Sequence, residues 1–396
     1  MSIEENTYER RLYIGLDLLR FENICYFELI KQFINIYSIK KKPVIYGNKE
    51  GLCAYLSIGL QLDLSVFLYE SIKHMNMIFP KEFDAFISAP EFKNLEKVRN
   101  NVHTFFKKGN FAKKAEEIIE NNLVEYKLKK HDIFFILRND ISLAFEILNH
   151  KRQLVGSDYF VQHCLFECNG EQWSGKDYMN YANYLSANIK KIAETTDESV
   201  YQLKPLFINK VQPQIELFDY KSDNLFLESE LSNVSTFRLM LILFQISYGV
   251  MLVEKVLALK SYDSDDLWIC FFTKLLSIKY DESIDNLCSM LKYASKDDKT
   301  VLKSNLSAFN FDINHLAARD FARNLRNTIH YQNIHYYPQF LSEKTIRDYI
   351  ITIYLSNSNV ETIEEFKDKA QKMFDEMKIL QAVIRKVMNV DKKYRY

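Results

Sequence analysis

Apolar residues recur at helical spacing over most of the chain. Residues 9–38 and 51–79 carry apolar side chains three and four positions apart, and further stretches with this spacing cover about 91–107 and 111–150. Such spacing predicts helices with one apolar face each. Four helices of these lengths are typical of a helical bundle, so we predict an N-terminal helical domain over residues 1–153.

The pattern changes in the middle of the chain. Residues 154–175 are rich in aromatic and β-branched side chains and contain Asn169-Gly170, a dipeptide that favours tight hairpin turns. We therefore predict a small β-hairpin here. A helix at about 176–195 follows it, and a segment with two prolines completes a connecting region over residues 154–231.

Helical spacing returns in residues 232–396, which we predict to be a second helical domain. Its predicted helices cover about 232–260, 264–278, 281–295, 312–336, 343–356 and 360–390. The last of them either closes its own bundle or packs on a partner subunit. The predicted fold class is mainly α, with two helical-bundle units and a small β-hairpin insertion between them.

Composition supports this architecture. A chain of 396 residues is long enough for more than one helical unit, and only nine glycines and six prolines are available for turns. The longest apolar stretch, Leu239 to Val253, has about 15 residues, whereas a membrane-spanning helix needs about 20. We expect a buried core helix there, and a membrane-associated protein is the alternative.

Charge and cysteine content limit the possible partners. Lys and Arg together number 52, as do Asp and Glu, so any nucleic-acid site must be a local patch. The six cysteines have no framework spacing and the N-terminus lacks a signal-peptide pattern, so we expect a cytoplasmic protein. His163-Cys164 with Cys168 lacks the second ligand pair of a metal site, and we predict neither a metal nor a cofactor.

One short motif occurs twice. Val98 is followed by Arg99-Asn100-Asn101-Val102-His103, and Leu325 by Arg326-Asn327-Thr328-Ile329-His330. The two copies share an Arg-Asn-x-aliphatic-His pattern, and Arg-Asn-x-x-His alone is expected about 0.02 times by chance in a chain of this composition. On a helix, residues four apart lie on one face, so Arg99 would lie beside His103 and Arg326 beside His330.

The second copy belongs to a longer basic stripe. Arg319 and Arg323 precede Arg326 and His330 at helical spacing, so all four side chains are predicted on one face. Three guanidiniums must be solvated, paired with acids or lined up along an anion site. Guanidinium groups match phosphate oxygens, and a histidine can exchange a proton with a ribose 2′-hydroxyl or a leaving 5′-oxygen.

With these residues the chain resembles the HEPN family, helical-bundle proteins that include metal-independent RNases of bacterial defence and toxin-antitoxin systems. Their pattern is Arg, often followed by Asn, with four to six residues before a His. Arg323-Asn324 with His330 has this spacing, so the resemblance assigns catalysis to His330 and Arg323, with Arg326 and Asn327 in support.

The first copy departs from the family spacing, because only three residues separate Arg99 from His103. In the family two motifs meet across a dimer or a tandem pair. The resemblance therefore implies either that Arg99 and His103 join His330 within one chain, or that two copies of the second domain form a homodimer. Arg319, Asn324 and Asn100 are the further expected RNA contacts.

The function that these observations predict is a HEPN-type endoribonuclease that attacks RNA through its 2′-hydroxyl, in abortive infection against phage or as a toxin. Its expected partners are RNA and an antitoxin or regulatory protein, without a membrane. The alternative is a non-catalytic helical scaffold that binds RNA or protein in a defence system.

Overall fold

The computed structural model describes residues 3–38, 49–104, 145–149, 151–156, 175–194, 196–204, 217–219, 229–253, 265–335 and 345–389. The N-terminal helices are α1 (Ile3–Ser38), α2 (Lys49–Ile78), α3 (Pro80–Ser88), α4 (Pro90–Thr104) and α5 (Gly175–Glu194). The C-terminal helices are α6 (Asn233–Met251), α7 (Asp266–Tyr293), α8 (Lys296–Ala308), α9 (Arg319–Asn327), α10 (Ile346–Asn357) and α11 (Ile363–Val387). Short 3-10 turns cover Glu198–Tyr201 and Tyr331–Asn333. The mainly α fold class is confirmed.

Three short strands accompany the helices. They are β1 (Phe145–Asn149), β2 (Lys151–Gly156) and β3 (Leu217–Asp219), antiparallel in the order β2-β1-β3. The helix predicted over 111–150 is therefore wrong in its last residues, because β1 bonds to neighbours on both sides instead of to its own backbone. The hairpin turn predicted at Asn169-Gly170 lies outside the described residues.

Helix boundaries in the C-terminal part differ from the predicted ones where polar residues interrupt the apolar pattern. The two helices predicted over 264–278 and 281–295 are one helix, α7. Its polar residues Lys279 and Asp281 are buried because each forms an ion pair with another helix. Helix α8 was not predicted, since its apolar stripe is narrow. Ser295 caps this helix by accepting a hydrogen bond from the Asp298 N–H.

The buried side chains of both halves form one continuous apolar cluster. In the N-terminal half α1 packs on α2 and α5, and α2 also contacts α3 and α4. In the C-terminal half α7 packs on α6, α9, α10 and α11. The apolar face of α11 lies against α6, α7 and α8, so this helix closes its own bundle.

Helix α6 contains most of the longest apolar stretch. By length and composition, Asn233–Met251 could cross a membrane, but 83% of its apolar window is buried inside the protein. Such burial is typical of a core helix in a soluble protein, which agrees with the interpretation of Leu239 to Val253 as a core segment.

Candidate functional site

A cavity of about 50 Å³ lies where the two halves of the chain meet, and both copies of the repeated motif contribute to it. Arg99 comes from the first copy, and Arg326 and His330 come from the second. The remaining lining residues are Tyr26, Asp63, Val66, Glu70, Ile278, Lys279, Glu282 and Ile329. A water needs about 10–15 Å³ of such volume, so the cavity holds a few waters or one small group.

Helical spacing explains how these side chains reach one cavity. Asp63, Val66 and Glu70 are three and four residues apart on α2, so they share one of its faces. On α7, Ile278 and Glu282 are four residues apart and point to the same side. Helices α4 and α9 approach from either side and supply the arginines. Tyr26 on α1 also lines the cavity, so five helices contribute side chains to the site.

Glu70 links the two copies of the motif. Its carboxylate accepts a hydrogen bond from Arg99 Nε at 3.2 Å through Oε1, and Oε2 lies 3.1 Å from His330 Nδ1. Burial by itself raises the pKa of Glu70, but the hydrogen bond and charge of His330 and the charge of Arg99 outweigh burial, so the pKa is lowered. Glu70 is thus a carboxylate that orients both motif residues.

The basic groups and the acidic groups lie at different depths. The side chains of Arg99, Arg326 and His330 are 23%, 22% and 32% exposed, whereas Asp63 and Glu70 are 7% and 2% exposed. Arg99, Arg326 and His330 therefore form the rim of the cavity, and Asp63 and Glu70 lie at its floor together with the buried Lys279. An anion that approaches from solvent meets the guanidiniums and the imidazole first.

Besides Glu70, the cavity is lined by one carboxylate in an ion pair and by one whose buried oxygen has no hydrogen-bond donor among the described residues. Asp63 forms a buried ion pair with Lys279, yet burial keeps the pKa of Asp63 above its ordinary value. Oε2 of Glu282 is buried without a hydrogen-bond donor among the described residues. Burial raises the pKa of Glu282 to about 7, although the charges of Lys279 and Arg326 oppose this effect. Glu282 is therefore largely protonated below neutral pH.

The raised pKa of Glu282 makes the stability of the protein depend on pH. The pKa of Glu282 in the folded protein lies above its ordinary value of 4.5, so the folded state holds this proton more tightly than the unfolded state does. The resulting contribution to folding stability is complete below pH 4.5 and is lost as the pH rises to about 7. The difference corresponds to at most about 3 kcal/mol. We expect Glu282→Gln, which stays neutral, to be more stable than the wild type at pH 8 by up to this amount, and to differ from it least below pH 4.5.

Denaturant unfolding of both proteins at several pH values measures this effect. Glu364→Gln, at an exposed position on α11, is the matched control and should show no such trend. A difference between wild type and Glu282→Gln that is constant with pH would contradict the assignment.

His330 does not belong to the helix that carries Arg326. The predicted helix over 312–336 is wrong at both ends, since α9 covers only Arg319–Asn327. After Asn327 the backbone tightens, and the N–H groups of Thr328, Ile329 and His330 bond to carbonyls three residues back. His330 therefore reaches the cavity from a turn and not from the helix face that its spacing predicted.

Interactions with α1 and α7 fix this turn. Lys274 Nζ donates to the Thr328 carbonyl at 3.3 Å and to the Glu22 carboxylate at 2.6 and 2.8 Å. Tyr331 donates its hydroxyl to the same carboxylate at 2.6 Å. At Gly15 on α1, an added Cβ would lie 2.5 Å from the Tyr331 carbonyl oxygen, so only glycine allows this close approach. The residues on both sides of His330 are thus anchored in the core.

The predicted basic stripe on α9 faces acids on α7. Arg326 donates to Asp281 at 3.1 Å, and Arg323 Nε lies 3.9 Å from the same carboxylate. Arg319 lies 3.5 Å from Asp285, one turn further along α7. Of the three arginines only Arg326 lines the cavity, while Arg323 is 46% exposed outside it. Ion pairs with the acids of α7 are therefore the main interactions of the three arginines in this stripe.

The asparagines of the motif lie around the cavity without lining it. Asn100 is exposed and accepts a hydrogen bond from Arg99 Nη1 at 3.2 Å. The carbonyl of Asn327 accepts from the His330 N–H at 3.2 Å, and Asn324 is partly buried on α9. His103 belongs to the last turn of α4, but its side chain lies outside the described part of the structure.

Sequence reasoning did not single out Glu70 or Glu282. A carboxylate inside a strongly apolar helix is a usable signal, because a buried charge needs a partner. Glu70 follows Val66-Phe67-Leu68-Tyr69 in α2 and carries this signal. Glu282 lies in the sequence Tyr280-Asp281-Glu282-Ser283, which is indistinguishable from a solvated helix face.

Comparison of the chain with known protein families, with characterised proteins and with solved structures finds no match in any of the three. Among the described residues, no group of three or more His, Cys, Asp or Glu side chains is arranged to hold a metal ion.

Proposed function

We propose that this protein is a HEPN-type endoribonuclease that cleaves RNA by attack of a ribose 2′-hydroxyl on the adjacent phosphorus. The observation that carries the proposal is the meeting of Arg99, Arg326 and His330 on the rim of one cavity. They come from two copies of one motif, far apart in the sequence. Two guanidiniums and an imidazole at the edge of a buried site suit a bound phosphodiester.

The hydrogen bond between His330 and Glu70 suits a base. When Nδ1–H donates to the Glu70 carboxylate, the neutral ring carries its lone pair on Nε2. This nitrogen accepts the 2′-hydroxyl proton while the 2′-oxygen forms a bond to phosphorus. Glu70 then stabilises the imidazolium that results, as the buried carboxylate does in other histidine dyads. His330 acts as the general base and Glu70 as its positioning residue.

The leaving group needs a proton as well. As the bond between phosphorus and the 5′-oxygen breaks, the oxygen must be protonated, and Glu282 is a carboxylic acid in the same cavity. Its pKa of about 7 suits a donor at neutral pH. Arg99 and Arg326 offset the negative charge that develops on the non-bridging oxygens. The products are a 2′,3′-cyclic phosphate and a free 5′-hydroxyl.

The arrangement within one chain supports intramolecular pairing of the two motif copies rather than a homodimer. Arg99 and His330 bind opposite oxygens of the same Glu70 carboxylate, so neither needs a second subunit to complete the contact. The resemblance to HEPN proteins alone suggests the cellular role, growth arrest in phage defence or as a toxin held by an antitoxin.

An RNA cleavage assay tests the proposal. We expect the purified protein to cut unstructured RNA into fragments that end in a 2′,3′-cyclic phosphate, with a rate that EDTA does not change. An RNA of the same sequence with 2′-O-methyl groups lacks the nucleophile and should stay intact. Cleavage of the methylated RNA would rule out 2′-hydroxyl attack, and absence of cleavage in either RNA would contradict the enzyme assignment.

A non-catalytic RNA- or protein-binding scaffold is the second candidate, and the pairing of the arginines favours it. Arg319, Arg323 and Arg326 all lie beside carboxylates of α7, which lowers the charge available to a phosphate. Such a protein would bind RNA with strong salt dependence and leave it uncut. Because the three arginines are already paired with acids, neutralising them together would change this binding little.

A further inference from the structure

A second and much larger cleft lies at the other end of α9, between α7, α8 and the loop that follows α8. Its volume is about 770 Å³, within the range of small-molecule sites and far above that of the cavity at His330. Leu306, Phe311 and Ile313 supply an apolar wall. These three side chains are buried, so the wall is part of the core and keeps its shape without a ligand.

The polar groups of the cleft are mostly basic or uncharged. Lys292 and Lys303 are exposed at its edge, and neither has an ion pair with a described residue. Asn310 and Asn314 add amide groups that can donate and accept hydrogen bonds. The one carboxylate in the lining is Asp312, and its oxygens already accept from the Asn314 N–H and His315 Nδ1 at 3.0 and 2.7 Å.

The basic stripe of α9 begins beside this cleft, although its arginines do not line it. Cys288 lines the cleft, and Arg319 Nη2 lies 3.9 Å from its sulfur. From Arg319 the stripe follows α9 to Arg326, about one arginine per helical turn of 5.4 Å. The nine residues of α9 span roughly 13 Å, so the cleft and the cavity are a few nucleotides apart.

We infer that this cleft binds a nucleotide segment of single-stranded RNA next to the segment that reaches His330. An apolar wall accepts the face of an unstacked base, amides bond to its edge, and lysines at the edge contact phosphates. A duplex keeps its bases stacked inside and cannot fill the cleft in this way. The inference rests on the proposed function for its choice of ligand and assigns a substrate-binding site to it.

Binding of a labelled single-stranded RNA of about ten nucleotides tests the inference. The RNA carries 2′-O-methyl groups, so binding is measured without cleavage. We expect Lys292→Ala with Lys303→Ala to weaken binding by about tenfold near physiological salt. The slope of log affinity against log salt should fall by about 1.4, since each lost phosphate contact contributes about 0.7.

The matched control is Lys81→Ala with Lys93→Ala, which removes two exposed lysines on α3 and α4 that line neither cavity. It should bind like the unchanged protein. Equal affinity and salt slope in the Lys292 and Lys303 variant, or an equal loss in the control, would overturn the inference. If no RNA is cut but only the cleft variant loses binding, the nuclease proposal fails and the cleft assignment stands.

Discussion

Replacement of His330 by alanine should lower the rate of RNA cleavage at least about a hundredfold, the usual contribution of a general base. The change removes the nitrogen that takes the 2′-hydroxyl proton and leaves the arginines in place. Since His330 follows α9 in a turn and its side chain is 32% exposed, the fold should be retained. The loss of activity is measured from initial cleavage rates over a range of RNA concentrations. Circular dichroism of both proteins checks that the fold is retained.

The control for this experiment is His335→Ala. His335 is exposed a few residues further along, and its backbone N–H bonds to Asn357 Oδ1, a contact that alanine keeps. Its cleavage rate should match the wild type. Cleavage by His330→Ala within a few fold of the wild-type rate would show that His330 is not the base. Binding of the methylated RNA should change little, which separates loss of chemistry from loss of substrate.

Replacement of Glu22 by glutamine should destabilise the protein by about 3–5 kcal/mol, the typical cost of removing one partner of a buried ion pair. The Glu22 carboxylate is 2% exposed and accepts hydrogen bonds from Lys274, Tyr331 and Tyr354. The Lys274 side chain is 4% exposed, so its ammonium would lose its counter-charge inside the core. Urea unfolding of the two proteins measures the loss.

A double-mutant cycle with Lys274→Met tests the cause of this loss. The variant with both changes buries no unpaired charge, so it should be clearly more stable than the sum of the two single losses predicts. If the losses in unfolding free energy of the two single variants were additive, the ion pair between Glu22 and Lys274 would not be the main cause of the destabilisation. As an exposed control, Glu194→Gln breaks the surface pair with Lys190 and should cost less than about 1 kcal/mol.

This stability effect is connected to the proposed site. Tyr331 follows His330 directly, and Lys274 also binds the Thr328 carbonyl two residues before it. The buried Glu22 cluster therefore holds the turn that presents the imidazole. At temperatures where Glu22→Gln is still folded, its cleavage rate reports how much of the activity depends on this anchoring.

Local sequence patterns determined the helical architecture. The apolar spacing placed α2, α5, α10 and α11 within three residues of their observed bounds, and it also predicted the end of α1 and the start of α6. Such patterns suffice because a helix closes its own hydrogen bonds and only needs one apolar face to pack. The repeated motif also contains Arg99, Arg326 and His330, the three basic side chains on the rim of the cavity.

Tertiary structure alone decided how these residues meet. The end of α9 at Asn327 depends on contacts of the following turn with Glu22, Lys274 and Gly15, which lie far away in the sequence. The choice of Arg326 over Arg323 as the residue in the cavity follows from the packing of α9 on α7. The spacing of residues in the sequence does not identify Glu70 and Glu282 either. Burial and the charges of neighbouring helices set the pKa of each carboxylate, and both depend on the tertiary structure.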